Sequence, residues 1–102
     1  MDYTKAGIGK SAFARLSENE DVLETVTQVA MKTGIRAGFF FLIGTLKSAK
    51  LGFFKEGKYE TVEMQQPLEI VSCVGNISMK EGKVFAHAHL TVSDEKSRAF
   101  GG

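Results

Sequence analysis

One helix followed by an all-β remainder is the reading this sequence supports, an α/β domain of the α+β kind, and three observations carry it. A single stretch near the N-terminus has helical periodicity behind an acidic, cap-like start. Everything from residue 38 onward falls into apolar or alternating segments of strand length, separated by turns such as "KEGK" and "MKEGK". One of those segments, "GFFFLIGTL" at 38–46, is apolar on both of its faces, and a single helix cannot cover both faces of a sheet of five or six strands. The second face must therefore be closed by curling into a barrel or by another copy of the chain.

In chain order, "AFARL" at 12–16 reads as a short strand after a polar leader. "SENE" then places Ser17 as N-cap with Glu20 three residues on, a capping-box spacing, and Glu18, Glu20, Asp21 and Glu24 set negative charge at the positive end of the helix dipole. Val22, Leu23, Val26, Val29 and Ala30 fall on one stripe, and Gly34 supplies the stop, so the helix is expected over 18–33. The acidic run is read as capping rather than as a cation site. Strands follow at 38–46, 49–54, 59–64, 68–78 and 84–93, the second and third forming a hairpin, with a polar turn and "FGG" at the end.

Composition narrows the function. A chain of 102 residues makes one domain, 1–102, able to bury somewhat over about 60% of its unfolded surface. Thirteen basic against twelve acidic residues leave a net charge of +1, so bulk charge gives nucleic-acid binding no support. One cysteine, Cys73, excludes an internal disulfide and a cysteine-rich zinc module; mid-strand between Ser72 and Val74, it reads as a small buried hydrophobe. The N-terminus has no signal-type apolar region and no segment is long and apolar enough to cross a membrane, which fits a cytoplasmic protein without membrane partners.

Imidazole chemistry is confined to "VFAHAHLTVSD", since His87 and His89 are the two histidines of the chain. Alternation puts Val84, Ala86, Ala88, Leu90 and Val92 on the core face and Phe85, His87, His89, Thr91 and Ser93 on the other. Same-face residues two apart on a strand stand roughly 6.5–7 Å apart, a gap two imidazoles can close over one cation. Zinc needs three or four protein ligands, and no third is found nearby in the sequence. On the residues alone, half-exposed or interface histidines are the commoner arrangement.

"GIRAGFFFLIGTLKSAKLGFF", Tyr59, "LEIVSCVGNIS" and "GKVFAHAHLTVSDEKSRAFGG" together resemble, in order and spacing, the PPC domain, the plant and prokaryote conserved domain of unknown function. The resemblance covers about residues 12–102. It implies a bent, mostly antiparallel sheet of five to seven strands packed on one main helix, assembled as a homotrimer. It also implies that His87 and His89 match two family histidines that hold a metal such as zinc or another divalent ion. A third family histidine follows the glycine pair, and the present chain ends at Gly101 and Gly102.

Departures from the family count as well. Plant members bind DNA through a separate Arg-Gly-Arg hook that enters the minor groove, and Arg15, Arg36 and Arg98 match nothing of that kind. The plant hexapeptide associated with partner contacts survives only as Glu69 and Ile70. Prokaryotic relatives often carry a DNA-binding label by analogy.

Two functions follow as expectations. The first is a non-catalytic homotrimeric module, DNA-associated or regulatory, whose local support for phosphate contact is Lys47, Lys50, Lys55 and Lys58; lysines guarding a hairpin edge against strand pairing explain the same residues. The second is a metal-dependent or small-molecule-binding protein centred on His87 and His89; Glu69 on the neighbouring strand offers a further acid, base or ligand, although an exposed structural glutamate is the commoner reading of such a residue. No nucleophile motif, phosphate loop or carboxylate pair names a reaction, so a catalytic role has no support in the residues. Tyr59, Gly44, Gly52 and Gly75 read as packing and close strand approach.

Overall fold

The computed structural model describes residues 1–102, and its elements are α1 (Val22–Thr33), β1 (Gly38–Phe41), β2 (Gly44–Leu46), β3 (Ala49–Lys55), β4 (Lys58–Met64), β5 (Leu68–Lys80), β6 (Lys83–Ser93) and β7 (Ala99–Gly101). The helix begins four residues later than its sequence suggests. Asp21 is the N-cap, extended at φ −77° and ψ 133°, and its carboxylate accepts the Glu24 N–H at 3.0 Å. Ser17 and Glu20 do bond to each other: the Ser17 N–H donates to Glu20 Oε2 at 3.0 Å and the Glu20 N–H to the Ser17 carbonyl at 3.3 Å. They close a separate turn, because Asn19 lies at φ 70° and a left-handed residue breaks the helical path, leaving the next carboxylate to start α1. Gly34 ends the helix as expected, at φ 75°.

No strand forms at 12–16. Residues 1–16 make no hydrogen bond within the chain, and Ile8 and Phe13 stand fully in solvent. Strand propensity needs a partner edge to act on, and residues 12–16 pair with none.

The main sheet has the order β1-β5-β6-β7, with β2 also on β5, and β3–β4 forms a two-stranded sheet of its own. All pairings are antiparallel. The continuous strand expected over 38–46 is two strands, and the cause lies on its partner. Between Ile70 and Ser72 the β5 ladder slips by one residue against β6. Val71 is the extra residue, and the break between Phe41 and Gly44 sits directly across from it, where the Leu42 N–H still reaches the Cys73 carbonyl. Gly44 takes φ 145° as the chain resumes, a conformation that side chains with a Cβ rarely adopt.

Because of the bulge, Leu68 and Ile70 share a face with Cys73 and Ile77 despite the odd spacing, and all four are buried. The core is correspondingly in two parts. Leu51, Leu68 and Val92 form one cluster with Leu46, Met64 and Leu90 around it. On the other side of the bulge α1 packs on β6, with Ala30 only 1% exposed near the level of buried Cys73, Ile77 and Ala86. Leu23, expected on the buried stripe, is exposed; Val22, Val26 and Val29 are half-buried.

The single chain leaves a great deal uncovered. Its accessible surface is 8513 Å², whereas a folded monomer of 11.1 kDa has about 5,700 Å². Its radius of gyration, 14.9 Å, compares with about 13 Å for a compact domain of this length. The burial of somewhat over 60% expected from length is therefore not reached by one copy, which buries about half.

Candidate functional site

The register of the main sheet decides what surrounds the histidines. Residues directly opposite on antiparallel strands share a face. Across β1, β5 and β6 one row is Phe39, Asn76 and His87, and the next is Phe41, Val74 and His89. Towards the β5–β6 turn the face continues with Ser78 and Phe85, and towards the bulge with Ser72 and Thr91. The opposite face carries Cys73, Ile77 and Ala86 beneath α1, so the histidines point away from the core, as alternation requires.

This outer face is largely apolar and open. Phe39 is 70% exposed, Phe41 75% and Val74 58%. His87 is half-buried and His89 exposed, and the two rings stand 5.4 Å apart between centroids at 64° to one another. Phe85 flanks His87 at 6.4 Å, and Lys80 Nζ lies 4.9 Å above the Phe85 ring. Neither imidazole engages in a hydrogen bond within the chain, which leaves ring nitrogens open to an ion or a partner.

Two adjacent imidazoles fit a borderline metal ion as half of a ligand set. The other half is not assembled: no group of three His, Cys, Asp or Glu side chains converges anywhere in the chain. Glu69 lies opposite Thr45 and Ser93, four residues along β6 from His89, and so does not join the pair. The β7 ladder, in which Thr91 faces Gly101 and Leu90 exchanges both backbone bonds with Gly102, would set a side chain following Gly102 across from His89.

The four lysines do not form one surface. Lys47 is held by Glu18 Oε1 and Asn19 Oδ1, each at 2.8 Å. Lys50 faces Glu63 across the hairpin, while Lys55 and Lys58 face each other at its tip. Cys73 is buried, and burial pushes its thiol pKa up. Tyr59 packs on Phe54 at 5.1 Å, and its ring lies over Gly52, confirming a packing role for both positions.

Sequence reading missed two features. Asn76 lies opposite His87, and Phe39 and Phe41 continue the two histidine rows one strand farther, a relation visible only in the register. The loop after β6, read as a plain polar turn, is organised by buried Asp94. Its Oδ1 accepts the N–H groups of Lys96 and Arg98, at 2.9 and 3.0 Å, and its Oδ2 accepts Arg98 Nε at 2.7 Å. The Arg98 N–H does most to hold the Asp94 carboxyl below the usual carboxylate range; burial pushes the other way, and the Arg98 guanidinium and the Lys96 N–H add to the lowering.

One helix on an antiparallel sheet, with paired imidazoles on an open outer face, defines a small α+β module. The Plants and Prokaryotes Conserved (PCC) domain model matches residues 3–102, and the chain belongs to that family. It is similar to a metal-containing protein of Archaeoglobus fulgidus, with a TM-score of 0.92 and 31% identity over 100% of this chain and 74% of the other. It is also similar to a plant- and prokaryote-conserved (PPC) protein of Pyrococcus horikoshii, with a TM-score of 0.82 and 35% identity over 85% of this chain. The match spans 62% of the length of the P. horikoshii protein. A candidate DNA-binding protein of Bacteroides thetaiotaomicron matches at a TM-score of 0.73 and 27% identity, over 78% of this chain and 57% of the other. No curated protein is similar enough to add to these.

Proposed function

We propose that the chain is a non-catalytic binding module that works as a homo-oligomer, a trimer by family resemblance, and that His87 and His89 supply two ligands to a divalent ion such as zinc on its outer sheet face. The observation that carries this reading is the placement of the two imidazoles side by side, free of hydrogen bonds, beside exposed Val74 and on the same face as exposed Phe39 and Phe41 one strand farther. Apolar surroundings strengthen metal–ligand electrostatics once a neighbouring copy covers them. The surface excess of one copy, about 2,800 Å², is of the size that obligate interfaces cover. The similar A. fulgidus protein, described as metal-containing, adds support.

Equilibrium dialysis against zinc tests the metal part. Wild type is expected to retain ion that His87→Ala with His89→Ala loses, and equal retention by both removes the site. Sedimentation velocity tests assembly, for which a particle of 11.1 kDa at all concentrations is the refuting result.

A second reading, DNA association, is favoured by one observation, the similarity to a protein described as a candidate DNA-binding protein. Of the four lysines at 47–58, Lys55 and Lys58 at the hairpin tip face each other rather than an acidic residue. Duplex binding that weakens steeply with salt, and less steeply in Lys55→Ala with Lys58→Ala, is the expected result; no binding at moderate salt ends this reading.

A further inference from the structure

We propose that Asn76 is the positioning residue of the histidine pair: its amide oxygen accepts the Nδ1–H of His87 and fixes the ring so that Nε2 is the nitrogen offered to a divalent ion. That role rests on the metal reading above and brings in a residue which that reading does not use. Asn76 and His87 meet on the β5 side of β6, so their relation is the same whatever follows Gly102 on β7.

A histidine ligates through a ring nitrogen that carries no proton, and the other nitrogen is then an N–H in need of an acceptor. The surroundings of His87 restrict where that acceptor can be. Along β6 the ring stands between Phe85, 6.4 Å away, and His89, 5.4 Å away, and neither offers an oxygen. Across the ladder the residue directly opposite is Asn76. The Cys73 carbonyl accepts the Leu42 N–H on the far side of β5, so by alternation Asn76 turns its backbone groups towards β6. Asn76 and His87 are thus a hydrogen-bonded pair, with Cβ atoms about 5.5 Å apart. Asparagine Oδ1 and histidine Nδ1 each stand two bonds beyond Cβ, enough to close that gap, and Nε2 is left at the outer end of the ring. Ser78, opposite Phe85, is on the diagonal at about 7–8 Å, too far for a hydroxyl one bond from its Cβ.

The two imidazoles are therefore not equivalent. His89 has Val74 opposite it, with no polar atom to orient the ring. Asn76 in turn has no evident structural duty. It is exposed, its side chain bonds to nothing in the chain, and asparagine is depleted in strands such as β5, where it sits mid-element. Zinc takes thiolate, imidazole and carboxylate ligands rather than amides, which leaves accepting from His87 as the use that fits its position.

Wild type, Asn76→Leu and Asn76→Asp, each dialysed as the whole chain against a range of zinc concentrations, test the role. Asn76→Leu keeps the side-chain bulk without an acceptor and is expected to bind zinc roughly 10- to 100-fold more weakly, the usual effect of removing the partner of a ligating histidine. Asn76→Asp keeps the acceptor and is expected to bind at least as tightly as wild type. Because Asn76 is exposed, Tm of the metal-free Asn76→Leu chain should not fall, which shows that it is folded. Proton–nitrogen NMR of the zinc-loaded imidazoles adds a readout that a structural role would not move. The His87 Nδ1–H is expected to exchange slowly with water in wild type and Asn76→Asp and rapidly in Asn76→Leu. Equal zinc affinity in wild type and Asn76→Leu overturns the positioning role and leaves the metal reading standing. A loss that Asn76→Asp does not restore, or a zinc-loaded His87 with its proton on Nε2, does the same. A wild type that retains no zinc overturns both.

Discussion

Gly75 gives the sharpest test of how the histidine strand is held. It lies opposite Ala88 on the core-facing side of β5, and the Phe40 ring occupies the space its missing side chain leaves. A Cβ built there overlaps the Phe40 ring, closer than the 3.0 Å that real Cβ atoms keep, and comes to 2.5 Å from the His87 carbonyl oxygen. Ordinary contact begins at 3.4 Å, so β5 and β6 would have to part by about 0.9 Å at this point or the ring would have to leave. Parting the strands stretches ladder bonds of about 2.9 Å well beyond 3.5 Å, and expelling the ring exposes a phenylalanine. Either route costs about 2–3 kcal/mol, in the range of overpacked cores. For a domain of this size Gly75→Ala should lower Tm by about 10–20 °C. The assay is thermal unfolding by circular dichroism at one fixed protein concentration, since self-association makes Tm concentration-dependent. Gly7→Ala, with nothing within 4 Å, is the control and should not move. A Gly75→Ala protein within about 2 °C of wild type would refute the argument that Phe40 and the His87 carbonyl fill this space.

Other outcomes follow from the same geometry. Asp21→Ala should destabilise the protein by about 1 kcal/mol through loss of the N-cap, whereas Ser17→Ala, whose hydroxyl makes no bond, should be nearly silent; chemical denaturation of both variants distinguishes the observed cap from the one the sequence suggests. Asp94 has its folded pKa lowered from 3.8, so its stabilising effect is present above the unfolded value and is lost as pH falls through the folded one. Asp94→Asn should therefore be less stable than wild type at neutral pH, with the gap closing in acid below about pH 4, as read by Tm against pH. Cys73 should resist thiol reagents in the native protein and react only on unfolding, because it is buried and its pKa is raised; rapid native labelling would contradict the placement of that strand face.

Much of this fold was legible because its signals are local. Alternation in 84–93 placed the histidines on the outer face, and the left-handed Gly34 ended the helix where a glycine follows a periodic stripe. The hairpin at 49–64 was marked by its Gly-containing turn. What failed depended on partners distant in sequence. Ser17 looked like a cap until Asn19 turned the chain away from the helical path. The 38–46 strand looked continuous because nothing in those nine residues reveals a bulge on β5. The 12–16 segment has strand character but pairs with no other strand. The outward placement of His87 and His89 was legible from alternation, whereas the separation of Glu69 from them, opposite Ser93 and four residues along β6 from His89, could not be read from the neighbouring of strands alone, because that says nothing about register.

The extra residue at Val71 also bears on which insertions and deletions the domain can absorb. Losing one residue from a strand ordinarily flips every side chain beyond it to the wrong face. Here removal of Val71 would do the reverse. Ile70 would move into step with Cys73, and the ladders to β6 and to the 38–46 segment would each run in an unbroken register, with inner residues still inside and outer residues still outside. What would go is the bulge, with the local bend and added twist that an extra residue gives its strand. The domain thus has a position where shape can be altered with almost no change in which residues are buried, and curvature, rather than hydrophobic pattern, is what the chain keeps that residue for.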